Sequence, residues 1–140
     1  MPDKSKRFDR LLRVRTLQLG QVRAEEGRAR ARVADAEALR ERIAQLSANV
    51  APTEAQSTAT SMMAAAHYRE RLHQSAHAAQ QRVAVAEQSL TAAAEATREA
   101  KRDQSAIEKL IARGEAEAAI KALRALEALP PTGRNRHDLC

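Results

Sequence analysis

The chain has 140 residues, the length of one ordinary domain, and its one Phe, one Tyr and no Trp exclude an aromatic-rich globular core. Its 44% apolar content exceeds that of a typical disordered chain, and its Ala, Glu, Leu, Arg and Lys content is typical of long helices and coiled coils. The net charge of +6 is uneven: residues 1–47 hold 12 Lys/Arg and 7 Asp/Glu, residues 48–100 hold 4 and 5, and residues 101–140 hold 8 and 6. Both ends are therefore basic. The sequence has neither an apolar membrane span nor the apolar block of a secretory signal, so we expect a cytosolic protein.

The first predicted element is a helix from about residue 4 to about residue 48. Its apolar residues recur at steps of 3, 4, 7 and 11, which mixes heptad spacing with eleven-residue spacing along one face. These residues are Leu12, Leu19, Val22, Val33, Ala36, Ile43, Leu46 and Val50. Gly20 and Gly27 each weaken a helix by about 1 kcal/mol relative to Ala, which predicts a softer place and not an end.

A break is predicted near residues 49–60, because Pro52 cannot lie in a helix interior. Thr53 and Gln56 form a capping-box pattern that could restart a helix, although the Ser and Thr residues nearby could delay the start to Thr58 or Thr60.

The second predicted helix runs from about residue 57 to about residue 129. Its apolar stripe comprises Met62, Ala66, Ala76, Val83, Ala86, Leu90, Ala93, Ala100, Ile107 and Ile111. Beyond Gly114 the stripe shifts to Ile120, Leu123, Leu126 and Leu129. Pro130 and Pro131 end the helix, and residues 130–140 are expected to form a flexible polar tail.

Two long helices joined by a short break predict an all-α fold, a long antiparallel two-helix coiled-coil hairpin formed by residues 1–129. Alanine in the seam allows the helices to approach closely, and the shorter arm would be a slim rod of roughly 65–70 Å. The bulky residues near Phe8 and Leu11 and those near Leu110 and Ile111 then lie at one basic pole. They form a thicker local core, a docking surface, or both.

The sequence offers little chemistry for catalysis, since it has no glycine-rich phosphate loop, CxxC or HExxH motif. His73 and His77 could share a metal with Glu70, but exposed helix residues are the preferred interpretation, so we expect no enzyme, cofactor or metal site. The basic start of the chain is interpreted first as a solvated face and next as a site for an acidic protein. No nucleic acid is expected, because acidic residues are interleaved and no stacking aromatics line the face.

Three segments together resemble the flagellar FliJ family. "KRFDRLLRVRTLQLGQVRAEEGRARA" resembles its F-x-x-LL-x-x-R opening, "HYRERL" its aromatic-x-x-x-Leu segment after the break, and "REAKRDQSAIEKLIARGEAEAAI" its C-terminal Lys-Leu-rich segment. The resemblance covers nearly the whole chain and implies an antiparallel coiled coil similar to the stalk of rotary ATPases. It would lie in the cytoplasm, peripheral to the inner membrane, as part of the type III flagellar export apparatus.

The resemblance also implies partners and contact residues. The partners would be the export ATPase hexamer, the cytoplasmic part of the membrane export gate, and export chaperones. The ATPase-binding residues would be Arg7, Phe8, Leu11, Leu12, Arg15, Leu110, Ile111 and Leu123. The gate-binding residues would be Leu39, Ile43, Leu46, Val50, Tyr68, Leu72, Ser75 and Ala79. In this gate strip the chain departs from the family, because aliphatic residues and Ala replace most of its aromatic and polar residues.

Three alternatives remain open from the sequence. The nearest is the homologous stalk of an injectisome secretion system. A second is a self-associating scaffold or chaperone, in which Val83, Leu90 and Ile107 would pair between chains. The third is a basic helix associated with nucleic acid, whose affinity would fall steeply with salt.

Overall fold

The computed structural model describes residues 2–50 and 58–131, which form two long helices, α1 (Pro2–Asn49) and α2 (Ala59–Glu127). The helices contact each other, and the predicted helical hairpin is confirmed. Each helix end lies within two residues of its predicted position. Pro52, the Thr53–Gln56 capping pattern and the tail from residue 132, which includes Cys140, lie outside the described residues.

The helix ends follow from residues with definite capping chemistry. Pro2 opens α1, where its missing N–H costs nothing, and Asp3 places a negative charge in the first turn. Thr58 caps α2: its Oγ1 accepts the Ser61 N–H at 3.4 Å, and its carbonyl accepts the Met62 N–H at 3.1 Å. Thr58 is one of the two positions to which the sequence allows the start of the second helix to be delayed.

The chain divides into two helical units, each containing a piece of α1 and a piece of α2. Unit 1 combines residues 2–16 with residues 102–131, and unit 2 combines residues 17–50 with residues 58–101, as far as they are described. In unit 1, Arg15 hydrogen-bonds to Asp103 while Phe8 lines one cavity with Ile111, so the helices run antiparallel. They also run antiparallel in unit 2, where Val22 meets Thr97 while residues 44–47 meet residues 66–76.

The seam of unit 2 is a regular heptad seam, with buried or half-buried residues at alternating steps of three and four. On α1 they are Leu19, Val22, Glu26, Ala29, Val33 and Ala36, followed by Ile43 and Val50. On α2 they are Ala65, Arg69, Leu72, Ala76, Ala79, Val83, Ala86, Leu90, Ala93, Thr97 and Ala100. Alanine is the commonest residue of this seam, with 8 of the 19 side chains, which is how a chain with so few large residues builds a seam.

The predicted eleven-residue step between Val22 and Val33 was wrong. Glu26 and Ala29 occupy the two seam positions in between, so the heptad continues through this part of α1. Glu26 was missed because it is charged. Its side chain is largely covered, and Oε1 accepts a hydrogen bond from Arg30 Nη2 at 2.7 Å.

Three residues assigned to the seam lie outside it. Leu46 and Ala66 are each one residue away from a seam position, and a one-residue offset turns a side chain by about 100° around the helix. Met62 precedes Ala65, the first covered seam residue of α2, and is exposed. Apolar character alone therefore placed Leu46 and Ala66 on the wrong face, whereas Met62 keeps the seam register but lies before the first covered position.

The seam of unit 1 is shorter and bulkier and includes a polar layer. Phe8, Leu12 and Arg15 on α1 lie with Gln104, Ile107 and Ile111 on α2. Gln104 Nε2 donates to Thr16 Oγ1 at 3.1 Å, and Arg15 Nη1 donates to Asp103 Oδ2 at 3.2 Å. The buried amide of Gln104 is thus hydrogen-bonded, as a buried polar group requires.

Replacing Gly20 or Gly27 by alanine is expected to raise the free energy of unfolding by about 0.5–1 kcal/mol at each site. Both glycines lie within the continuous helix α1, and a Cβ at either would meet no atom within 4 Å. Urea denaturation followed by far-UV circular dichroism measures the gain. Ala24→Gly, at an exposed site between them, should lower stability by a similar amount; an unchanged midpoint in all three variants contradicts the prediction.

Candidate docking surfaces

All eight residues assigned to ATPase binding lie in unit 1. The exposed members are Arg7, Leu11, Leu110 and Leu123, and the half-buried members are Phe8, Leu12, Arg15 and Ile111. The half-buried residues contribute mainly to the seam, because they occupy its heptad positions. The exposed residues are the ones that a partner protein can cover.

One exposed apolar cluster of unit 1 lies beside the seam. In an antiparallel coiled coil, the residues that precede the a positions of both helices lie on one side, which we call the g flank. Leu11 and Leu110 both occupy g positions, and exposed Val14 lies next to this flank. Large apolar side chains at exposed positions on one flank form a patch that a partner can bury.

A groove of about 600 Å³ adjoins this patch. Its apolar lining comes from Phe8, Leu110 and Ile111, and Gly114 contributes no side chain to fill it. The charged residues around it are Lys4, Arg113, Glu115, Glu117 and Lys121. The groove is large enough for one or two apolar side chains of a partner, held between groups of both charges.

A second apolar surface of unit 1 covers the outer face of α2. Ile120, Leu123 and Leu126 lie on the side of α2 opposite its seam positions, and all three are exposed. The sequence predicts that the stripe shifts after Gly114, and these residues lie in a stretch of α2 that is exposed on all sides from residue 112 to residue 127. The side chains leave the hairpin seam and face outward.

The start of α1 surrounds these apolar residues with positive charge. Residues 4–15 contain six Lys or Arg and one acidic residue, Asp9. Arg15 pairs with Asp103, and the other cations of this stretch are on the exposed surface of the helix. Unit 1 therefore combines exposed leucines with a basic helix start, an arrangement that suits a partner with acidic residues around an apolar site.

The gate-binding residues lie in unit 2, and the structure separates them into two groups. Leu39, Leu46, Tyr68 and Ser75 are exposed and occupy g positions, so they lie on one flank. Ile43 and Val50 are half-buried seam residues. Leu72 and Ala79, exposed by only 9% and 2%, are buried between the helices. The hairpin itself therefore covers Leu72 and Ala79, which separates them from the four exposed flank residues.

The histidines of unit 2 form no metal cluster. His67, His73 and His77 are exposed on α2, and no three His, Cys, Asp or Glu side chains in the described parts of the chain could together hold a metal ion. His73 lines a groove of about 680 Å³ with Ala44, Ser47 and Leu72. This groove lies on the opposite side of unit 2, the e flank, where the residues follow the d positions.

Sequence reasoning missed the difference between the two flanks of the hairpin. Four exposed leucines, Leu11, Leu39, Leu46 and Leu110, occupy g positions, whereas the e positions hold polar or small residues such as Asp9, Thr16, Glu37 and His73. The signal was present in the sequence: once Glu26 is accepted as a seam residue, the heptad register assigns Leu11, Leu39 and Leu46 to one flank.

Within residues 2–50 and 58–131, no helix has both the length and the apolar content needed to cross a lipid bilayer. Comparison with protein-family models, with curated proteins and with solved structures finds no match to this chain.

Proposed function

We propose that this protein is a non-enzymatic component of the flagellar type III export apparatus. In this role it is a stalk-like adaptor that binds the export ATPase ring through unit 1. It connects that ring to the membrane export gate and to export chaperones, at the cytoplasmic face of the inner membrane. The observation that carries the proposal is the combination in unit 1 of exposed leucines, an apolar groove and a basic helix start.

The hairpin architecture supports this proposal in a second way. An antiparallel helical pair is the architecture that the resemblance to the FliJ family implies. The chain also shows that family's order of features, with a basic start, then a break, then a Leu-rich end. A catalytic role has no support from the residues described here: Ser47 and His73 line the second groove, but Ser47 Oγ donates to the Ile43 carbonyl and no hydrogen bond joins it to a base. Binding, and not chemistry, is the function that these surfaces serve.

The main alternative of a different class is a self-associating scaffold. Val83 and Ile107 are buried within the single chain, exposed by only 4% and 6%, so they are not free to form a seam between chains. This observation favours the adaptor. An injectisome stalk would use the same surfaces, and the identity of the ATPase that binds separates it from the flagellar role.

Exchanging Leu11 and Leu110 for alanine is expected to weaken binding to the export ATPase at least about tenfold, because a few central apolar residues carry most of the energy of an interface. The experiment is a pull-down, followed by titration, with the flagellar export ATPase encoded by the same genome. Arg7→Glu should also weaken binding, and the loss should be larger at low salt than at high salt, because salt screens exposed charges.

Val85→Ala is the matched control, because Val85 is an exposed apolar residue of unit 2. It should leave ATPase binding unchanged. All variants should keep the helical circular-dichroism spectrum, because they alter exposed side chains. ATPase binding that survives the Leu11 and Leu110 changes would overturn the assignment of unit 1 as the docking surface.

A further inference from the structure

The two flanks of unit 2 differ in apolar character near the end of α1 and the start of α2. On the g flank, Leu39, Leu46 and Tyr68 are exposed by 38%, 42% and 47%. On the e flank, the corresponding positions hold Glu37 and Ala44 on α1 and Ala66, His73 and Gln80 on α2. Of the exposed large apolar side chains in residues 35–50 and 58–82, three lie at g positions, Met62 lies at the start of the seam face and Met63 lies on the e-flank side.

The charges of this region are divided between the same two flanks. Arg82 lies on the g flank, and Arg42 and Arg71 occupy the adjoining c positions, with Asp35 as the acidic residue on that side. On the e-flank side lie the glutamates Glu37, Glu41 and Glu70. Two charged residues remain in ranges 35–50 and 58–82, and both lie at seam positions: Arg40 and Arg69. The apolar strip is therefore bordered by arginines.

These arginines have charge available for a partner. Arg42, Arg71 and Arg82 form no ion pair with any residue in the described parts of the chain. The glutamates across the seam are engaged with neutral neighbours, since Glu41 accepts a hydrogen bond from Gln45 and Glu70 accepts one from Gln74. A guanidinium group without an acidic neighbour gains most from a carboxylate that arrives with a ligand.

The spacing of the apolar residues points to a helical ligand. Leu39 and Leu46 are seven residues apart on α1, which separates them by about 10.5 Å along the helix axis. A partner helix presents apolar side chains at the same separation every second turn, and the depression along the flank of two packed helices accepts a third helix. A lipid surface would gain little from three apolar residues arranged in this way.

We infer that the g flank of unit 2 binds an amphipathic helix whose apolar face is bordered by Asp or Glu. The apolar face covers Leu39, Leu46 and Tyr68, and the carboxylates meet Arg42, Arg71 and Arg82. The inference deepens the proposed function and rests on it only for the partner's identity, since it gives the chemistry that a gate or chaperone segment must present at this flank.

The experiment uses two designed helical peptides of about three heptads each, with the same Leu and Ile face. One carries Glu at the bordering positions and the other carries Lys. Binding to the full chain is measured by fluorescence anisotropy. We expect the Glu peptide to bind at least about tenfold more tightly than the Lys peptide, because the arginine border attracts one and repels the other.

Two sets of variants test the residues. The double change Leu39→Ala and Leu46→Ala should weaken the Glu peptide about tenfold or more. The triple change of Arg42, Arg71 and Arg82 to Glu should reverse the preference, so that the Lys peptide binds more tightly. This reversal is a gain that simple misfolding cannot produce.

Matched controls lie on the other side of unit 2. Met63→Ala removes an exposed apolar side chain and Arg23→Glu reverses an exposed charge, and both sites face the e-flank side. Both variants should bind the Glu peptide as the unchanged protein does. Equal affinity for the two peptides, or an equal loss in the controls, overturns the inference. The inference is also overturned if the protein binds phosphatidylglycerol vesicles through the same three arginines and binds neither peptide.

The outcome is separable from that of the proposed function. The variant with Leu39→Ala and Leu46→Ala should keep its binding to the export ATPase, because both changes lie in unit 2. If ATPase binding is intact but no peptide preference exists, the helix-binding flank is wrong and the export role stands. If the peptide preference is found but the ATPase does not bind, the export role is wrong and the flank stands.

Discussion

Ile107→Ala should lower the free energy of unfolding by about 2–4 kcal/mol, the largest loss expected from a single conservative truncation in this chain. Ile107 is exposed by only 6% and lies in the short seam of unit 1 with Leu12. The seam of unit 1 is short, so few neighbouring side chains can move to close the cavity that the substitution leaves. Urea denaturation monitored by circular dichroism gives the change.

The same substitution at Ile120 is the control, because Ile120 belongs to the same helix and the same unit but is 52% exposed. Ile120→Ala should change stability by less than about 0.5 kcal/mol, as surface substitutions usually do. It should instead weaken the binding of a partner to the outer face of α2. Equal destabilisation by the two substitutions would show that the outer face of α2 is packed against something within the chain.

The second large effect comes from enlarging a seam residue. Ala29→Leu should destabilise the protein by about 1–3 kcal/mol, since Ala29 is only 1% exposed and overpacking forces closely spaced helices apart. Ala31→Leu, two residues away at an exposed position, should be nearly neutral because Leu is a good helix former.

Thermal and urea denaturation of the two leucine variants measure this difference. A neutral Ala29→Leu would mean that the alanine seam has space to spare and that close helix approach is not what the methyl groups provide. A destabilising Ala31→Leu would indicate that the seam register is shifted around α1 from the one described.

The hairpin was predictable because its signals are local. One proline-containing break between two helix-forming stretches determines the topology, and Thr58 marks the start of α2. The seam register was harder, because an alanine stripe resembles the alanines on every other face. Glu26 and Gln104 were missed because charged and amide side chains enter a seam only where a partner supplies a hydrogen bond. Arg30 is that partner for Glu26, and Thr16 is that partner for Gln104. Thr16 is 88 residues from Gln104 and is seen as its partner only in three dimensions, whereas Arg30 is four residues from Glu26 and is visible in the sequence.

The candidate surfaces were predictable in part. The bulky basic pole could be expected from composition, since Phe8, Leu11 and Leu110 stand out in an alanine-rich chain. Which of these residues face outward depends on the seam register. An error of one residue in that register moves a side chain from the exposed flank to the buried seam, or the reverse. Leu72 and Ala79 illustrate this: the resemblance placed them with Tyr68 and Ser75, whereas burial separates the two pairs.

From residue 112 to residue 127, every residue of α2 is exposed, yet this stretch continues directly from the turns that pack against α1 through Gln104, Ile107 and Ile111. Nucleation is the unfavourable step of helix formation, and in α2 the packed turns supply the nucleus, so the exposed turns form by propagation. A protein that binds Ile120 and Leu123 therefore binds a helix that is already formed. It avoids most of the ordering entropy that a disordered segment would lose on association, and more of the contact energy becomes affinity.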